Sequence, residues 1–283
     1  MSRDALAAYS GARFSLLTQH GKEQAIGPLF QEACGASVQL VQGFDTDSLG
    51  TFTMDIPRDG SQLEAVRKKA RIGMEISGLS LGLASEGSFG PGPFGLYAMN
   101  LELVIMVDAT RRIEIVGRAR VPGRHSHARV TTLGELQDAA RRLGFPEHGL
   151  VIRPTDETDL RIRKGVRSWD SLTQAFAEAH EQSTTGIVFV ENDLRAHCNP
   201  TRMENIVAAT QDLLGRMRCQ CPACGSPGFG LVARLPGLPC RDCGFATQEA
   251  RAEKLECVAC RHEQVRDLPV RHVDPFRCEQ CNP

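Results

Sequence analysis

The chain alternates between short apolar runs and longer stretches in which apolar residues recur with helical spacing. The short apolar runs predict buried strands at 12–18, 37–42, 79–85, 150–153 and 186–190. Between them, apolar positions three and four residues apart predict helices, including one over 62–77 and one that begins at Asn199-Pro200. Strands interleaved with helices predict an α/β layered domain with a largely parallel sheet, which an adjacent antiparallel pair within 101–117 makes mixed.

Helical periodicity stops near residue 217, where a cysteine-rich tail begins. Eight of the eleven cysteines form four CxxC pairs, namely Cys221/Cys224, Cys240/Cys243, Cys257/Cys260 and Cys278/Cys281. Fifteen residues separate the first pair from the second and seventeen separate the third from the fourth, which is typical of zinc sites. Two residues between thiolates let one tight turn direct both sulfurs to a single ion, and Gly225 and Gly244 suit such turns.

The cysteine pattern therefore predicts two closed, structural Zn(Cys)4 sites in a tandem zinc-ribbon-like region. It divides the chain into an α/β domain at 1–217 and a zinc-binding region at 218–283. A disulfide framework is the alternative, and a reducing compartment disfavours it. The spacing matches first with second pair and third with fourth, but the exchanged pairing, first with third and second with fourth, stays open.

Charge and hydropathy restrict the partners that the chain is expected to have. The formal net charge is −1, so no basic excess indicates a broad nucleic-acid or anionic-membrane surface. No apolar run approaches the roughly 18 residues of a membrane span, and the first residues do not resemble a secretory signal. We expect a cytoplasmic protein whose zinc region has nearly balanced charge and is able to bind protein or RNA.

Polar residues that follow predicted strands are candidates for a binding site, because ligands of α/β sheets bind beyond the carboxyl ends of strands. After the first strand, Thr18, His20 and Lys22 lead into a helix and together suit a phosphate. Glu86 follows an apolar strand among glycines, which suits a metal-binding carboxylate or a general base, with a mobile loop as the alternative. Glu64 could also bind a divalent cation, although Ser61-x-x-Glu64 equally reads as a capping box.

A last polar cluster follows the strand at 186–190. Glu191, Asp193, Arg195 and His197 alternate along an extended segment, and Asn199 and Arg202 lie just beyond. Carboxylate, guanidinium and imidazole groups suggest anion or metal binding, with an ion-paired loop as the equal alternative. Two weaker candidates are the turn Asp45-Thr46-Asp47 and the basic run at 161–167.

Over nearly its full length the chain resembles an uncharacterised bacterial family described only as a domain of unknown function. The residues that carry this resemblance are His20-Gly21-Lys22-Glu23, Ala84-Ser85-Glu86-Gly87-Ser88-Phe89-Gly90, Asp193-Leu194-Arg195-Ala196-His197, Asn199-Pro200-Thr201-Arg202-Met203 and the CxxC pairs. The resemblance implies no activity.

Residues 12–120 also resemble, more distantly, the house-cleaning nucleoside-triphosphate pyrophosphatases, especially the inosine/xanthosine triphosphatase branch. Thr18, His20 and Lys22 are similar to the phosphate loop of that family, Ser61-Gln62-Leu63-Glu64-Ala65 to its helix, and Glu86-Gly87 to its strand-end turn. The resemblance implies that Lys22 grips phosphate and that Glu64 and Glu86 hold Mg²⁺. His20 replaces an Asn, and Lys22 lies one residue closer than in the family pattern.

These observations favour Mg²⁺-dependent hydrolysis of a phosphoanhydride in a nucleotide-like substrate, with catalytic residues Glu64, Glu86, Asp193 and His197. Thr18, His20, Lys22, Arg195 and Arg202 are then the phosphate-binding residues. The first alternative is a non-catalytic adaptor whose zinc ribbons bind protein or RNA. The second is that zinc only caps the last helix and stabilises the fold.

Overall fold

A computed structural model describes residues 5–44, 60–92 and 95–283 of the chain. The described residues form three sheets, of five, four and three strands. The turn Asp45-Thr46-Asp47 lies outside the described residues. Within the described ranges, no helix is both long and apolar enough to cross a membrane.

The first sheet is mixed. Its five strands are β1 (Arg13–Leu17), β2 (Ser37–Val41), β3 (Leu81–Pro91), β4 (Ala98–Asp108) and β5 (Ile113–Pro122). Their order is β2-β1-β3-β4-β5, and β1 is parallel to both of its neighbours. The β3–β4 and β4–β5 pairs are antiparallel. The mixed α/β class is confirmed, but parallel pairing is limited to three strands, because short connections can join only antiparallel neighbours.

Helices cover both faces of this sheet. The five helices of the described residues are α1 (Glu23–Cys34), α2 (Gln62–Ser77), α3 (Leu133–Arg142), α4 (Trp169–Gln182) and α5 (Pro200–Arg218). α1 and α5 pack on one face, where Phe30 and Leu213 belong to one buried cluster with Phe14. α2 covers the other face, where Val66 and Ala70 pack with the apolar side chains of β3 and β4. The two helical stripes therefore bury the sheet from both sides.

Capping residues set the helix starts as the sequence indicates. Ser61 and Thr132 each form a complete capping box with the glutamate three residues later. The Asn199 side chain accepts a hydrogen bond from the backbone N–H of Arg202, and Pro200 lies in the first turn of α5. The start of α5 is therefore fixed next to the polar cluster that precedes it.

The second sheet is entirely antiparallel. Its strands are β6 (His127–Val130), β7 (Leu150–Arg153), β8 (Arg163–Val166) and β9 (Val188–Asn192), in the order β6-β9-β7-β8. α3 and α4 contribute Leu136 and Leu172 to a separate core that includes Ile152 and Val190. The described residues before 218 thus contain three buried apolar clusters, one on each face of the first sheet and one in the second sheet. The single α/β domain at 1–217 stays a prediction.

The cysteine-rich tail forms a narrow three-stranded antiparallel sheet. Its strands are β10 (Phe229–Pro236), β11 (Ala250–Cys257) and β12 (Glu263–Asp267), in the order β10-β11-β12. At about 3.3 Å per residue, the eight residues of β11 span about 26 Å. The CxxC turns lie at the two ends of this sheet, so the tail has the shape of a short rod.

One end of the rod packs against the first sheet. Val258, next to Cys257, packs on the hydrophobic core that includes Ile115 of β5. Gly228 approaches so closely that an added Cβ would lie 2.8 Å from Val258 and 2.9 Å from Ile115. The first cysteine turn therefore follows directly from α5 and lies against the α/β core, whereas the other end of the rod points away along the strands.

Candidate functional site

Two clusters of four cysteines have the geometry of zinc sites. In each cluster the sulfurs lie within 4.8 Å of one another. The paired Sγ atoms are 3.7 Å apart for Cys221–Cys260 and Cys224–Cys257, 3.8 Å for Cys240–Cys281 and 3.7 Å for Cys243–Cys278. A tetrahedron with Zn–S bonds of about 2.3 Å has edges of about 3.8 Å. A disulfide would bring two sulfurs to about 2.05 Å, so the thiols fit zinc and not a disulfide framework.

The structure selects the exchanged pairing of the CxxC units. One cluster holds Cys221, Cys224, Cys257 and Cys260, and the other holds Cys240, Cys243, Cys278 and Cys281. The first CxxC unit thus shares a cluster with the third, and the second with the fourth. The spacing along the chain had instead matched the first unit with the second and the third with the fourth. The physical reason is β10 and β11, which run side by side and carry the second unit to the far end of the rod while returning the third to the near end.

The four CxxC turns share one backbone hydrogen bond. In each, the carbonyl oxygen of the first cysteine accepts a hydrogen bond from the N–H four residues later, donated by Gly225, Gly244, Arg261 or Asn282. Gly225 and Gly244 have φ of 71° and 72°, as predicted for these turns. The first cysteine of each unit is buried and the second is exposed. Both sites are closed by four protein ligands, which is the arrangement of structural zinc.

A second candidate site lies beyond the carboxyl end of β1, beside Ser85 and Glu86 in the middle of β3. The prediction that Glu86 follows a strand was wrong, because pairing with β4 continues the strand to Pro91. The chain passes from β1 to β2 on one side and returns through α2 to β3 on the other, so the end of β1 flanks a topological switch point. Lys22, just before α1, extends its side chain across to β3. Its Nζ donates a hydrogen bond to the carbonyl oxygen of Ser85 at 3.0 Å, and the residue is only 7% exposed.

Glu86 lies beside Lys22 but is paired with another lysine. Its Oε2 atom is 2.6 Å from Nζ of Lys69 on α2, and both side chains are buried. The backbone of Glu86 is held by Gln62, whose Nε2 donates to the carbonyl oxygens of Glu86 and Leu101 at 2.7 and 2.9 Å. The first turns of α2 therefore fix the middle of β3 and supply the counter-ion of Glu86.

Arg202 forms a second buried ion pair on the opposite face of the sheet. Its Nε donates to Oε1 of Glu102 at 2.7 Å, and Arg202 is 1% and Glu102 0% exposed. Asn100 donates to the same carboxylate oxygen at 3.1 Å and accepts a hydrogen bond from Asn205 of α5 at 2.7 Å. Arg202 also donates to the carbonyl oxygen of Leu194. This network fixes the guanidinium between β4 and the start of α5.

The buried charges of this cluster do not balance. Lys69 pairs with Glu86 and Arg202 pairs with Glu102, but no carboxylate of a described residue lies within 4.0 Å of Nζ of Lys22. Burial is the main cause that lowers the pKa of Lys22 to about 8, and the positive charges of Arg202 and Lys69 add to it, while Glu86 acts in the opposite direction. Two further buried oxygens, Oγ of Ser85 and Oε2 of Glu102, have no hydrogen-bond partner among the described residues.

Thr18, His20 and His197 lie next to Lys22. The Thr18 hydroxyl accepts a hydrogen bond from the backbone N–H of His20, which shapes the turn before α1. The rings of His20 and His197 are 5.0 Å apart between centroids. Burial is the main cause that lowers the pKa of His20 to about 3, followed by the positive charge of Lys22. His20 therefore stays neutral at physiological pH. Both rings line a groove of about 600 Å³ between the starts of α1 and α5.

Asp193 and Arg195 are paired with each other. Arg195 Nη2 is 2.6 Å from Oδ2 of Asp193, and the backbone N–H groups of Arg195 and Gly165 donate to the same carboxylate at 3.0 Å. Burial raises the pKa of Asp193, but these hydrogen bonds outweigh it and the pKa is lowered. The arrangement matches the ion-paired-loop alternative. We therefore leave Asp193 out of the proposed reacting groups.

Glu64 is the predicted site residue that the structure separates from the others. It is exposed, and its Oε2 accepts hydrogen bonds from the backbone N–H and the hydroxyl of Ser61, both at 2.7 Å. The backbone hydrogen bond from Ser61 is the main cause that lowers its pKa. Its carboxylate is committed to the capping box, so Lys22 and Glu86 come together without Glu64.

Five polar residues that hydrogen-bond or pair with Glu86 and Arg202, directly or through one another, are not among the sequence predictions, namely Gln62, Lys69, Asn100, Glu102 and Asn205. Glu102 carried a detectable signal, because it interrupts an apolar run at an inward-facing strand position. Asn205 carried one as well, since it shares the buried face of α5 with Arg202 and Ile206. For Gln62 and Lys69 nothing in the local pattern distinguishes them from solvated helix residues.

Gly87 is required by the close approach of Arg202 and Glu102. A Cβ at this position would lie 2.2 Å from Nη2 of Arg202 and 2.5 Å from Oε1 of Glu102. We expect Gly87→Ala to lower the free energy of unfolding by about 3 kcal/mol, because overpacking displaces a buried ion pair. Gly90→Ala is the matched control on the same strand, since no described atom lies within 4 Å of its added Cβ. Urea unfolding measures both, and equal stability of the two variants would contradict the close contact.

A family model described as "Domain of unknown function (DUF6671)" matches residues 69–283. The match includes Lys69, Glu86, Glu102, Arg202 and both cysteine clusters. Comparison with the curated proteins gives no match. The comparisons therefore do not confirm the resemblance of residues 12–120 to the nucleoside-triphosphate pyrophosphatases.

Proposed function

The chain belongs to the DUF6671 family, and we propose that it binds the phosphate group of a small molecule beside Lys22, between the carboxyl end of β1 and the middle of β3. One observation carries this proposal. The buried cluster contains three basic side chains and two carboxylates, and Lys22 is the basic side chain whose amine meets only a carbonyl oxygen among the described residues. A phosphate would supply the missing negative charge.

The energetics support a ligand in this position. An ion buried without a counter-ion costs several kcal/mol, and the cost falls when an anion forms charge-assisted hydrogen bonds with it. The carbonyl oxygen that accepts a hydrogen bond from Lys22 belongs to Ser85. The hydroxyl of the same serine is buried and has no hydrogen-bond partner among the described residues. It is available to donate to a phosphate oxygen, so an amine and a hydroxyl would act together.

We further propose that this site carries out Mg²⁺-dependent hydrolysis of a phosphoanhydride in a nucleotide-like substrate. Outside the two cysteine clusters, no three His, Cys, Asp or Glu side chains of the described residues gather as a metal site. Protein sites for Mg²⁺ often use only one or two carboxylates together with the substrate phosphates, and Glu86 would be that carboxylate. Bound Mg²⁺ would neutralise phosphate charge. Lys69 would have to release Glu86, and Lys22 would orient the phosphate.

Binding is tested with pyrophosphate and a panel of nucleoside triphosphates by isothermal titration calorimetry. We expect Lys22→Gln to weaken binding at least about tenfold, the loss of one charge-assisted hydrogen bond. Lys68→Gln is the control, because Lys68 is exposed one residue before Lys69 on α2. Equal affinities of the wild type and Lys22→Gln would refute the site. Turnover of the same panel with Mg²⁺, compared with Glu86→Gln, tests hydrolysis separately.

Binding is also expected to depend on pH through Lys22. The amine must be charged to attract phosphate, and its pKa in the free protein is about 8. Phosphate monoesters become dianions above about pH 6. Affinity should therefore be highest between pH 6 and 8 and fall about tenfold per pH unit above 8, until the raised pKa of the bound state is reached. A flat affinity between pH 7 and 9.5, measured with pyrophosphate, would contradict a charged Lys22.

The free energy of unfolding of the ligand-free protein should change with pH in the opposite direction to the binding affinity. Because the folded-state pKa of Lys22 lies below its ordinary value of 10.5, the unfolded chain binds more protons between about pH 8 and 10.5. This group alone then makes the free energy of unfolding rise with pH in that window. Above about pH 8, affinity should fall with pH while the Lys22 contribution to the free energy of unfolding rises. The two measurements therefore distinguish a loss of ligand binding from a loss of stability.

A second candidate function is supported by exposed apolar side chains at the far end of the rod. Phe245, Val270 and Phe276 are 42%, 57% and 77% exposed near the second cysteine cluster. The tail from Arg218 onward carries nine Lys and Arg against eight Asp and Glu. Each Zn(Cys)4 centre adds a charge of −2, so the loaded tail is negative. We propose that it binds protein rather than RNA, in a reducing compartment such as the cytoplasm.

The adaptor proposal is tested with the zinc-loaded full chain. Fluorescence anisotropy with single-stranded RNA at physiological salt should show no binding. Pull-downs with the wild type and Phe276→Ser should differ in the proteins captured, because the substitution removes the most exposed aromatic ring. If the wild type and Phe276→Ser captured the same proteins, the far end of the rod would not be the binding surface.

A further inference from the structure

The space beside β5 is a groove between the edges of two different sheets. β5 is the last strand of the first sheet, and β10 is an edge strand of the three-stranded sheet in the tail. Ile115 and Val116 of β5 line one side of the groove, and Leu231 and Val232 of β10 line the other. Its volume is about 500 Å³. Leu231 and Val232 are exposed, so the groove presents apolar side chains to solvent.

β5 directs unpaired backbone groups into this groove. The backbone N–H of Arg118 donates to Oδ2 of Asp212 at 2.8 Å, so it points away from β4. The backbone groups of an antiparallel strand point alternately toward and away from a given neighbour. The N–H and C=O groups of Glu114 and Val116 therefore also point away from β4, and no group of another described residue pairs with them there.

β10 presents its backbone in the same way. The N–H of Phe229 donates to the carbonyl oxygen of Cys219 at 3.1 Å, and therefore not to β11. Phe229 pairs with Cys257 and Leu231 pairs with Leu255, with no register shift between them. By the same alternation, the backbone groups of Leu231 point away from β11. The groove thus has an unpaired strand edge on each side.

A single extended segment fits this groove, whereas the edge of another sheet does not. β10 lies opposite β5 across the groove, so it blocks the approach of a second sheet to the edge of β5. An extended peptide that adds one strand to an exposed edge gains main-chain hydrogen bonds, and its alternate side chains meet the walls of the groove. The shape therefore favours one peptide strand as the occupant.

The charges of the groove favour an acidic segment. Five charged side chains line it, namely Arg118, Arg216, Arg234, Glu114 and Glu256. Both carboxylates are already paired with arginines that are not part of the lining. Glu114 lies 2.6 Å from Arg67 and 3.0 Å from Arg71, and Glu256 lies 2.5 Å from Arg261. The arginines of the lining are thus in excess.

Arg118 is the arginine of the lining that is best placed for a partner. It is exposed, and its guanidinium forms no ion pair with a described residue, whereas Arg216 pairs with Asp212 at 2.8 Å. The near zinc centre adds negative charge beside Val258, which packs near Ile115. Arg118 lies three residues further along β5, at about 10 Å, so a carboxylate that meets Arg118 is kept apart from that charge.

We propose that this groove binds an extended acidic segment of another protein as an additional strand against β5. One of its carboxylates meets Arg118, and its apolar side chains contact Leu231 and Val232. The proposal shares no residue with the phosphate site and uses a different surface from the far end of the rod.

Binding is tested by fluorescence anisotropy with the zinc-loaded full chain and a fluorescein-labelled peptide of sequence Glu-Val-Glu-Val-Glu-Val. We expect Arg118→Glu to weaken binding at least about fivefold, because repulsion replaces an ion pair. Arg120→Glu is the matched control, since Arg120 is exposed on the same face of β5 but does not line the groove. No binding to the wild type, equal affinities of the two variants, or equal binding of Lys-Val-Lys-Val-Lys-Val would overturn the proposal.

Strand addition is tested separately on the wild-type protein with two N-methylated forms of the acidic peptide, one methylated at every Glu nitrogen and one at every Val nitrogen. We expect at least one form to bind at least about tenfold more weakly, because its blocked nitrogens cannot donate to the strand edge. Equal binding of the parent and both methylated forms would show that the peptide is not held as a strand, which overturns the proposal.

The occupant is checked by analytical ultracentrifugation of the full chain alone. We expect no self-association through the groove, so the wild type and Arg118→Glu should sediment alike. Dimerisation of the wild type that Arg118→Glu abolishes would identify a second copy of this chain as the occupant and would overturn the assignment to another protein.

Discussion

Removing zinc is expected to unfold residues 218–283 and to lower the stability of the α/β domain with them. The tail has little apolar core of its own, since the cluster at its far end consists of Leu238, Val273 and two cysteines. Structural zinc contributes about 10–16 kcal/mol of apparent binding free energy, which exceeds the net stability of most domains. Loss of the near site would also expose Val258 and the surface of β5 that it covers.

Elemental analysis should find two zinc ions per chain, and a chelator should lower the melting temperature measured by circular dichroism. Zinc restores the melting temperature if the effect is reversible unfolding of the tail. An unchanged melting temperature after complete zinc removal would mean that the tail does not contribute to the stability of the α/β core.

The pairing of the CxxC units can be tested with two double variants. In the structure, Cys221 and Cys257 belong to one cluster. The double variant Cys221→Ser/Cys257→Ser should therefore keep one zinc ion per chain, because only the near site loses ligands. Cys221→Ser/Cys240→Ser removes a ligand from each site and should reduce binding at both. If the first and second units shared an ion, the two variants would exchange results.

Breaking the buried pair of Arg202 and Glu102 should have the second largest effect. Both side chains are almost fully buried, and the Nε–Oε1 distance is 2.7 Å. Arg202→Met leaves the Glu102 carboxylate buried without its counter-ion, so we expect the free energy of unfolding to fall by about 3–5 kcal/mol. Asn100 still donates to that carboxylate, but a neutral amide does not replace the charge.

The double variant Arg202→Met/Glu102→Gln should recover much of this loss, because it removes both charges and keeps the hydrogen bond to Asn100. Urea unfolding with tryptophan fluorescence or circular dichroism gives the four free energies of the mutant cycle. A single variant as stable as the wild type, or a double variant less stable than the single, would show that the pair does not hold β4 and α5 together.

Local signals in the sequence were sufficient for the helix starts and for the cysteine ligands, but not for β6 and β8, which were not predicted as strands. The capping residues Ser61 and Asn199 marked helix starts that the structure confirms, because a cap acts within one turn of its own helix. The eight cysteines of the CxxC pairs were also recognisable from the sequence alone, because a CxxC turn is a local arrangement. The strand before Glu86 was predicted to end at residue 85, but β3 continues to Pro91, because its pairing with β4 is a long-range property.

Partnerships across the fold were decided only by the tertiary structure. Glu64 and Glu86 are equivalent as sequence candidates, yet one caps a helix and the other meets Lys69, 17 positions away. Arg202 and Glu102 are separated by 100 positions, and no local pattern joins them. The zinc pairing depends on the antiparallel course of β10 and β11.

The sequence by itself thus determined which residues are chemically able to bind metal or phosphate and where helices and strands begin, because these properties depend on neighbours within a few positions. The tertiary structure decided which charges are neutralised and which cysteines share an ion, because strand order and burial set those distances. The amine of Lys22, which has no carboxylate partner among the described residues, belongs to this second kind of property, since it results from separate segments of the chain meeting beside β3.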